Sequence, residues 1–365
     1  MISTFCCKIK QTFLGGILVP NPFTYGGRIT NPAQFIGRGK ELQTIFSALE
    51  TAHSGQLQHV QVVGERRIGK SSLLFHITQV YRQRLTQPEK YRFVYVDLDD
   101  GRCHTLEGLL KYISSQLGLS NKPTLAKFQE AIEELSREQG IYPILCLDEF
   151  EHLTKRKDQF PNEVFEVWRS LASGSRLAFI TSSQTSLGQL IQQGNLTSTF
   201  HNIFIYLELG NFTEAEARTL LARNIDRPFG EEEISKVFKL AGYHPSHLQL
   251  AAKLLYEAKE IPPVDWNTIK AQHQKLLDHI RPVEPAPQKS EWFQKVKNFV
   301  FNIPNTLGRF VLDLFGRHDA KDSSATLLGW ILLFVGMAIL FGFWKAQDVV
   351  DFFKYNWRFF FPEKK

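Results

Sequence analysis

Three observations predict an α/β fold built on a central parallel sheet of five strands. Five short β-rich segments alternate with stretches of helical apolar spacing, the pattern of a parallel sheet covered on both faces. The first of them runs directly into Gly64-Glu65-Arg66-Arg67-Ile68-Gly69-Lys70-Ser71, a glycine-framed loop that opens a helix. A later apolar segment, 142–147, ends in Asp148-Glu149.

Residues 64–71 read G-x-x-x-x-G-K-S, the Walker A pattern of a phosphate-binding loop. Backbone N–H groups of such a loop wrap a phosphate chain, and its glycines allow backbone angles and close approach that a Cβ forbids. The strand leading in is 59–63. The helix leading out, 71–84, carries apolar residues at Leu73, Leu74, Ile77 and Tyr81 and turns its positive dipole end toward the anion. The pattern assigns Lys70 to the β- and γ-phosphates and the Ser71 hydroxyl to Mg²⁺. Gly64, Glu65, Arg66, Arg67, Ile68, Gly69 and Ser72 complete the nucleotide-facing stretch. The expected ligands are ATP or ADP with Mg²⁺.

The second strand, 92–98, is β-branched and aromatic, and Asp97, Asp99 and Asp100 at its end read as a solvated acidic turn. Helical periodicity predicts helices over 106–117 and 125–138. The strand 142–147 carries Asp148 and Glu149 to its C-terminal edge, where open α/β sheets bind ligands. This is a Walker B segment: Asp148 to hold Mg²⁺ and Glu149 to polarise the attacking water. A helix over 160–172 and a strand over 176–180 follow, the latter ending in Thr181-Ser182-Ser183-Gln184. The fifth strand is 202–207. Thr213-Glu214-Ala215-Glu216 is a capping box, and helices over 213–224, 231–240, 246–258 and 266–279 make a small α-helical lid.

Two further stretches carry a resemblance. Phe35-Ile36-Gly37-Arg38-Gly39-Lys40-Glu41-Leu42 precedes the first strand, and Gly242-Tyr243-His244-Pro245 joins two lid helices. Together with the two Walker segments they make residues 35–258 resemble the STAND group of AAA+-related P-loop ATPases, including the archaeal-type ATPases. The family's pattern has a glutamate where this chain has Gly39, and a glycine where it has Tyr243. The resemblance implies that Gly37 and Arg38 lie near the nucleotide base. It implies that His244 and Pro245 lie near the phosphates and couple them to the lid, and that Thr181 or Ser182 senses the γ-phosphate. It further implies a slow ATPase acting as a switch, a homo-oligomer in the ATP state, a role in signalling or defence, and a protein trigger that the sequence does not identify.

The remaining organisation follows composition. Residues 1–34 form an N-terminal tail, 35–210 the P-loop core and 211–280 the lid. The proline-rich stretch 281–290 is an extended linker. Residues 291–324 form an amphipathic juxtamembrane region or, equally, a packed helical hairpin. Residues 325–344 lack any charge, are strongly apolar and carry Trp330 and Trp344 near their ends, as expected of a single transmembrane helix. An aromatic and basic tail, 345–365, follows. ATP use places the ATPase domain in the cytoplasm, although the lysines and arginines of the tail would favour that side for the tail itself. The formal net charge of +6 permits contact with nucleic acid or an anionic membrane and requires neither. A nucleic-acid-dependent ATPase and a membrane transport or remodelling ATPase are the alternatives to the switch. Cys6, Cys7, Cys103 and Cys146 lack zinc-ligand spacing and fit a reducing compartment.

Overall fold

In the computed structural model five strands form one sheet in the order β2-β3-β4-β1-β5, with every pairing parallel. The structure describes residues 21–120, 124–223, 225–260 and 262–280, with 307, 309 and 329–333. The strands are β1 (His59–Val63), β2 (Tyr91–Asp97), β3 (Tyr142–Asp148), β4 (Ala178–Ser183) and β5 (Phe204–Glu208). The helices between and beside them are α1 (Gly39–Glu50), α2 (Lys70–Val80), α3 (Leu106–Gln116), α4 (Leu125–Glu138), α5 (Glu151–Lys155), α6 (Asn162–Ser173) and α7 (Leu187–Gln193). The lid comprises α8 (Glu214–Leu221), α9 (Glu231–Ala241), α10 (Pro245–Ala258) and α11 (Trp266–Ile280).

Strand alternation sorts the core into two layers. Val60, Val62, Ile144, Cys146 and Ile180 face α1 and α2, meeting Ile45, Leu49, Leu73 and Ile77. Leu145, Leu147 and Phe179 face the other way, against Phe128, Phe165, Trp168 and Phe200. A third cluster belongs to the lid, where Leu220, Val237, Leu248 and Leu255 pack together. Phe23, from the segment read as a tail, is buried in that lid cluster. The Asn21 side chain donates to Lys253 O at 3.2 Å. Residues 21–29 are therefore a strap over the lid.

The strand order sets up the site. β4 lies between β1 and β3, so the carboxyl ends of all three line up. The register pairs Val62 with Ser182 and Val63 with Ser183, while Leu147 pairs with Thr181. Asp148 and Ser182 thus sit side by side at the head of the sheet.

β4 begins at Ala178 rather than at 176, and it runs on through Ser183. The strand expected over 176–180 thus starts two residues later and takes in Thr181, Ser182 and Ser183. α5 and α7 are short helices of 5 and 7 residues that periodicity did not predict. α8 stops at Leu221 instead of 224.

Residues 1–280 and 281–365 form two compact units. The linker 281–290, the tail 345–365 and almost all of 291–324 and 325–344 lie outside the described residues, and 329–333 are helical. Among the described residues no helix is long and apolar enough to cross a membrane.

Candidate nucleotide site

The loop between β1 and α2 is shaped by its glycines for two different reasons. Gly69 has φ +108°, an angle that side chains rarely adopt. Gly64 answers a close approach, since a Cβ there would come within 2.6 Å of Leu209 O just after β5. Lys70 is buried, and its Nζ donates to Gly64 O and Glu65 O at 2.9 Å each. Burial lowers the Lys70 pKa, while Glu149, Glu151 and Asp148 act against that shift.

The carboxylates come from β3. Asp148 is 2% exposed. Its Oδ1 accepts from the Ser182 hydroxyl, and its Oδ2 accepts from the Tyr95 hydroxyl at 2.6 Å. Glu149 follows with φ +57°, a left-handed angle for a residue with a Cβ. Its backbone N–H donates to Ser182 Oγ at 3.3 Å. Burial first, then the charges of Glu151 and Asp148, raise the Glu149 pKa, with Lys70 and Arg66 opposing. A carboxylate so placed is more basic than a solvated one. Glu151 accepts from Gln184 N–H with Oε1, while its buried Oε2 has no hydrogen-bond partner.

Of the two residues nominated to sense a phosphate, neither reaches the cleft walls. Ser182 faces the P-loop helix but binds Asp148 and Glu149. Thr181, one residue earlier, alternates onto the opposite face with Phe179, and its buried hydroxyl is unpartnered. Just past the end of β4, Gln184 Oε1 accepts from Arg66 Nε at 3.3 Å.

Beside the P-loop lies a cleft of about 250 Å³. Its walls include Arg67, Ile68, Gly69, Lys70, Ser71 and Ser72 from the loop and the start of α2, Glu149 just after β3, Arg38, and Pro245 from the lid. Gly37, Gly64, Glu65, Arg66 and His244 stand outside those walls. Arg38 bridges core and lid: Nη2 donates to Ile68 O at 3.0 Å, and its backbone N–H donates to Glu216 Oε1 at 2.7 Å. The capping box at Thr213 and Glu216 thus has a second task, anchoring the lid to the Gly37-Arg38 turn. His244 is tied to the Arg66 backbone, and its ring stacks on His247 at 4.2 Å. Burial pulls its pKa down to about 4.

The sequence did not reveal the other walls. Thr24, Tyr25, Gly26, Gly27, Arg28 and Ile29 line the cleft from the strap, with Phe35, Ile36, Phe212, Leu220, Arg223 and Gln249. Ile29 N–H donates to Ser72 Oγ at 3.0 Å, fixing the strap to α2. The only signal in the sequence was Gly26-Gly27 followed by a basic residue, which reads equally as a turn.

The all-parallel sheet, the P-loop after β1 and the carboxylates at the end of β3, two strands away, make a P-loop NTPase α/β fold. Residues 54–191 match the family described as AAA domain. Among solved structures, the chain is similar to the Walker-type ATPase PABY2304 of Pyrococcus abyssi, with a TM-score of 0.52 and 17% identity over 83% of this chain and 91% of that one. It is also similar to the ORC2 protein of Aeropyrum pernix, solved as ADPNP-ADP complexes, with a TM-score of 0.54 and 15% identity over 77% of this chain and 76% of that one. No curated protein matches the chain.

Proposed function

We propose that this chain is an ATP-binding and ATP-hydrolysing molecular switch of the STAND/AAA+ type. The observation that carries the reading is the convergence of Lys70, Asp148 and Glu149 at the head of one sheet, beside a cleft that the lid helps to line. Ser71 and Asp148 offer hard oxygen donors, which suit Mg²⁺. When bound there, the ion would neutralise charge on the β- and γ-phosphates. The Lys70 ammonium exchanges its two loop carbonyls for phosphate oxygens. Glu149, held basic by burial and by its acidic neighbours, orients water and takes up its proton. Arg38 and His244 relay lid position to the loop through Ile68 and Arg66. In the ATP state the chain assembles with copies of itself, on a protein trigger. The uncharged stretch 325–344 anchors it as a single transmembrane helix with the ATPase on the cytoplasmic side.

Two substitutions test the chemistry. Glu149→Gln keeps the shape and removes the base; ATP should still bind in calorimetry, while phosphate release should fall about 100-fold or more. Lys70→Ala should abolish binding. Unchanged turnover in Glu149→Gln would overturn the assignment of the base.

A second reading is a nucleic-acid-dependent ATPase, favoured by the net charge of +6. Stimulation of turnover by DNA or RNA with a steep salt dependence would select it over the switch.

A further inference from the structure

Tyr95 sits on β2, one strand beyond the Walker B strand, and no motif includes it. A phenylalanine there would fill the same space. The phenolic hydroxyl adds one thing, a hydrogen bond to Asp148 Oδ2 at 2.6 Å. Ser182 holds the other carboxylate oxygen, so two neighbouring strands fix the Asp148 side chain from both sides. The Tyr95 ring is itself fixed. It meets Phe75 of α2 edge-to-face at 5.6 Å. The Arg28 guanidinium lies 4.5 Å from the Tyr95 ring centre and 4.8 Å from that of Phe75.

Arg28 belongs to the strap. That segment lines the cleft from Thr24 to Ile29 and is pinned to Ser72, the neighbour of Ser71, through Ile29 N–H. Asp97, 3.9 Å from Arg28, completes its surroundings. A continuous set of contacts therefore runs from the cleft wall through Arg28 and Tyr95 to the carboxylate assigned to the divalent cation.

We propose that Tyr95 is a positioning residue that aims Asp148 at the magnesium site, and that Arg28 makes this aim depend on the seating of the strap. The proposal rests on the nucleotide-site reading above. Groups that orient metal-binding carboxylates typically contribute 10- to 100-fold in metal affinity. A hydroxyl that only satisfied a buried carboxylate would affect stability and leave the cation requirement unmoved.

The test uses the full chain and the fluorescent nucleotide mant-ADP, titrated with Mg²⁺ and separately in EDTA. Tyr95→Phe should raise the Mg²⁺ midpoint for nucleotide binding about tenfold or more, while affinity in EDTA stays at the wild-type value. Arg28→Met, which keeps an apolar body over the rings, should raise the midpoint by a smaller factor. In the Tyr95→Phe background it should add nothing, because both act through one hydroxyl. An unchanged midpoint in Tyr95→Phe, or an equal loss of affinity with and without Mg²⁺, would overturn the positioning role. If circular dichroism shows Tyr95→Phe unfolded, Arg28→Met decides: a wild-type midpoint there overturns the proposal and a raised one supports it. Wild-type chain that binds no mant-ADP under either condition would overturn the nucleotide-site reading, and this proposal with it.

Discussion

His59 opens β1 between the rings of Phe179 and Phe204, and its Nδ1 accepts a hydrogen bond from Phe179 N–H at 3.3 Å. Burial pulls its pKa down to about 4 from an unfolded value of 6.5. The unfolded chain therefore binds more protons than the folded one between those two values. Stability rises with pH across that window and is lost as the medium is acidified from 6.5 toward 4. His59 should contribute about 3 kcal/mol to that loss, and His244 acts in the same direction. Urea unfolding of wild type and His59→Gln at pH 7, 5.5 and 4.5 measures it. The variant, which keeps an acceptor for Phe179 N–H and cannot charge, should show a visibly flatter decline. Which side chains come together was legible where a motif fixes a spacing: Lys70, Ser71 and Glu149 line one cleft, and Asp148 directly precedes Glu149. That legibility failed at Thr181, because β4 extends to Ser183 and alternation places neighbouring side chains on opposite faces. Tyr95 was invisible for another reason: a tyrosine in a strand reads as packing until its partner across the sheet is known.

At the scale of elements, the turn before α1 shows how a local motif acquires a distant partner. Gly37 has φ +75°, and a Cβ there would come within 2.7 Å of Glu216 Oε1. Gly37→Ala should therefore lower stability by about 1–3 kcal/mol, read as a shift of the urea midpoint, and should loosen α8 from the core. Restoration of the wild-type midpoint in Gly37→Ala combined with Glu216→Ala would show that the clash, not the backbone angle, dominates. The elements themselves were largely legible. α4 occupies the residues that its apolar period predicts, and β3 is an apolar run closed by Asp148. α5 and α7 escaped because helices of 5 and 7 residues complete too few turns to show a period. The strap escaped because an irregular segment has no period at all; Phe23 gives it a place only through the lid cluster it joins.

For the whole molecule, all walls of the cleft come from residues 24–249. Chain ending at Ile280 should bind mant-ADP with the affinity of the full chain. If 325–344 spans a bilayer, the full chain should sediment with membranes and the shortened chain should not. Val335→Arg would oppose insertion by about 2.5–3.5 kcal/mol. Membrane fractionation of the three proteins decides the point, and full chain found wholly in the supernatant would refute the span. The backbone of Glu149 has a consequence at this scale too. Glycine or asparagine would occupy its left-handed angle with less strain, yet neither carries a carboxylate. If Glu149 is the base proposed above, thermal endurance and turnover pull on position 149 in opposite directions. A library of variants sorted only for heat resistance would then drift toward proteins that hold nucleotide without turning it over.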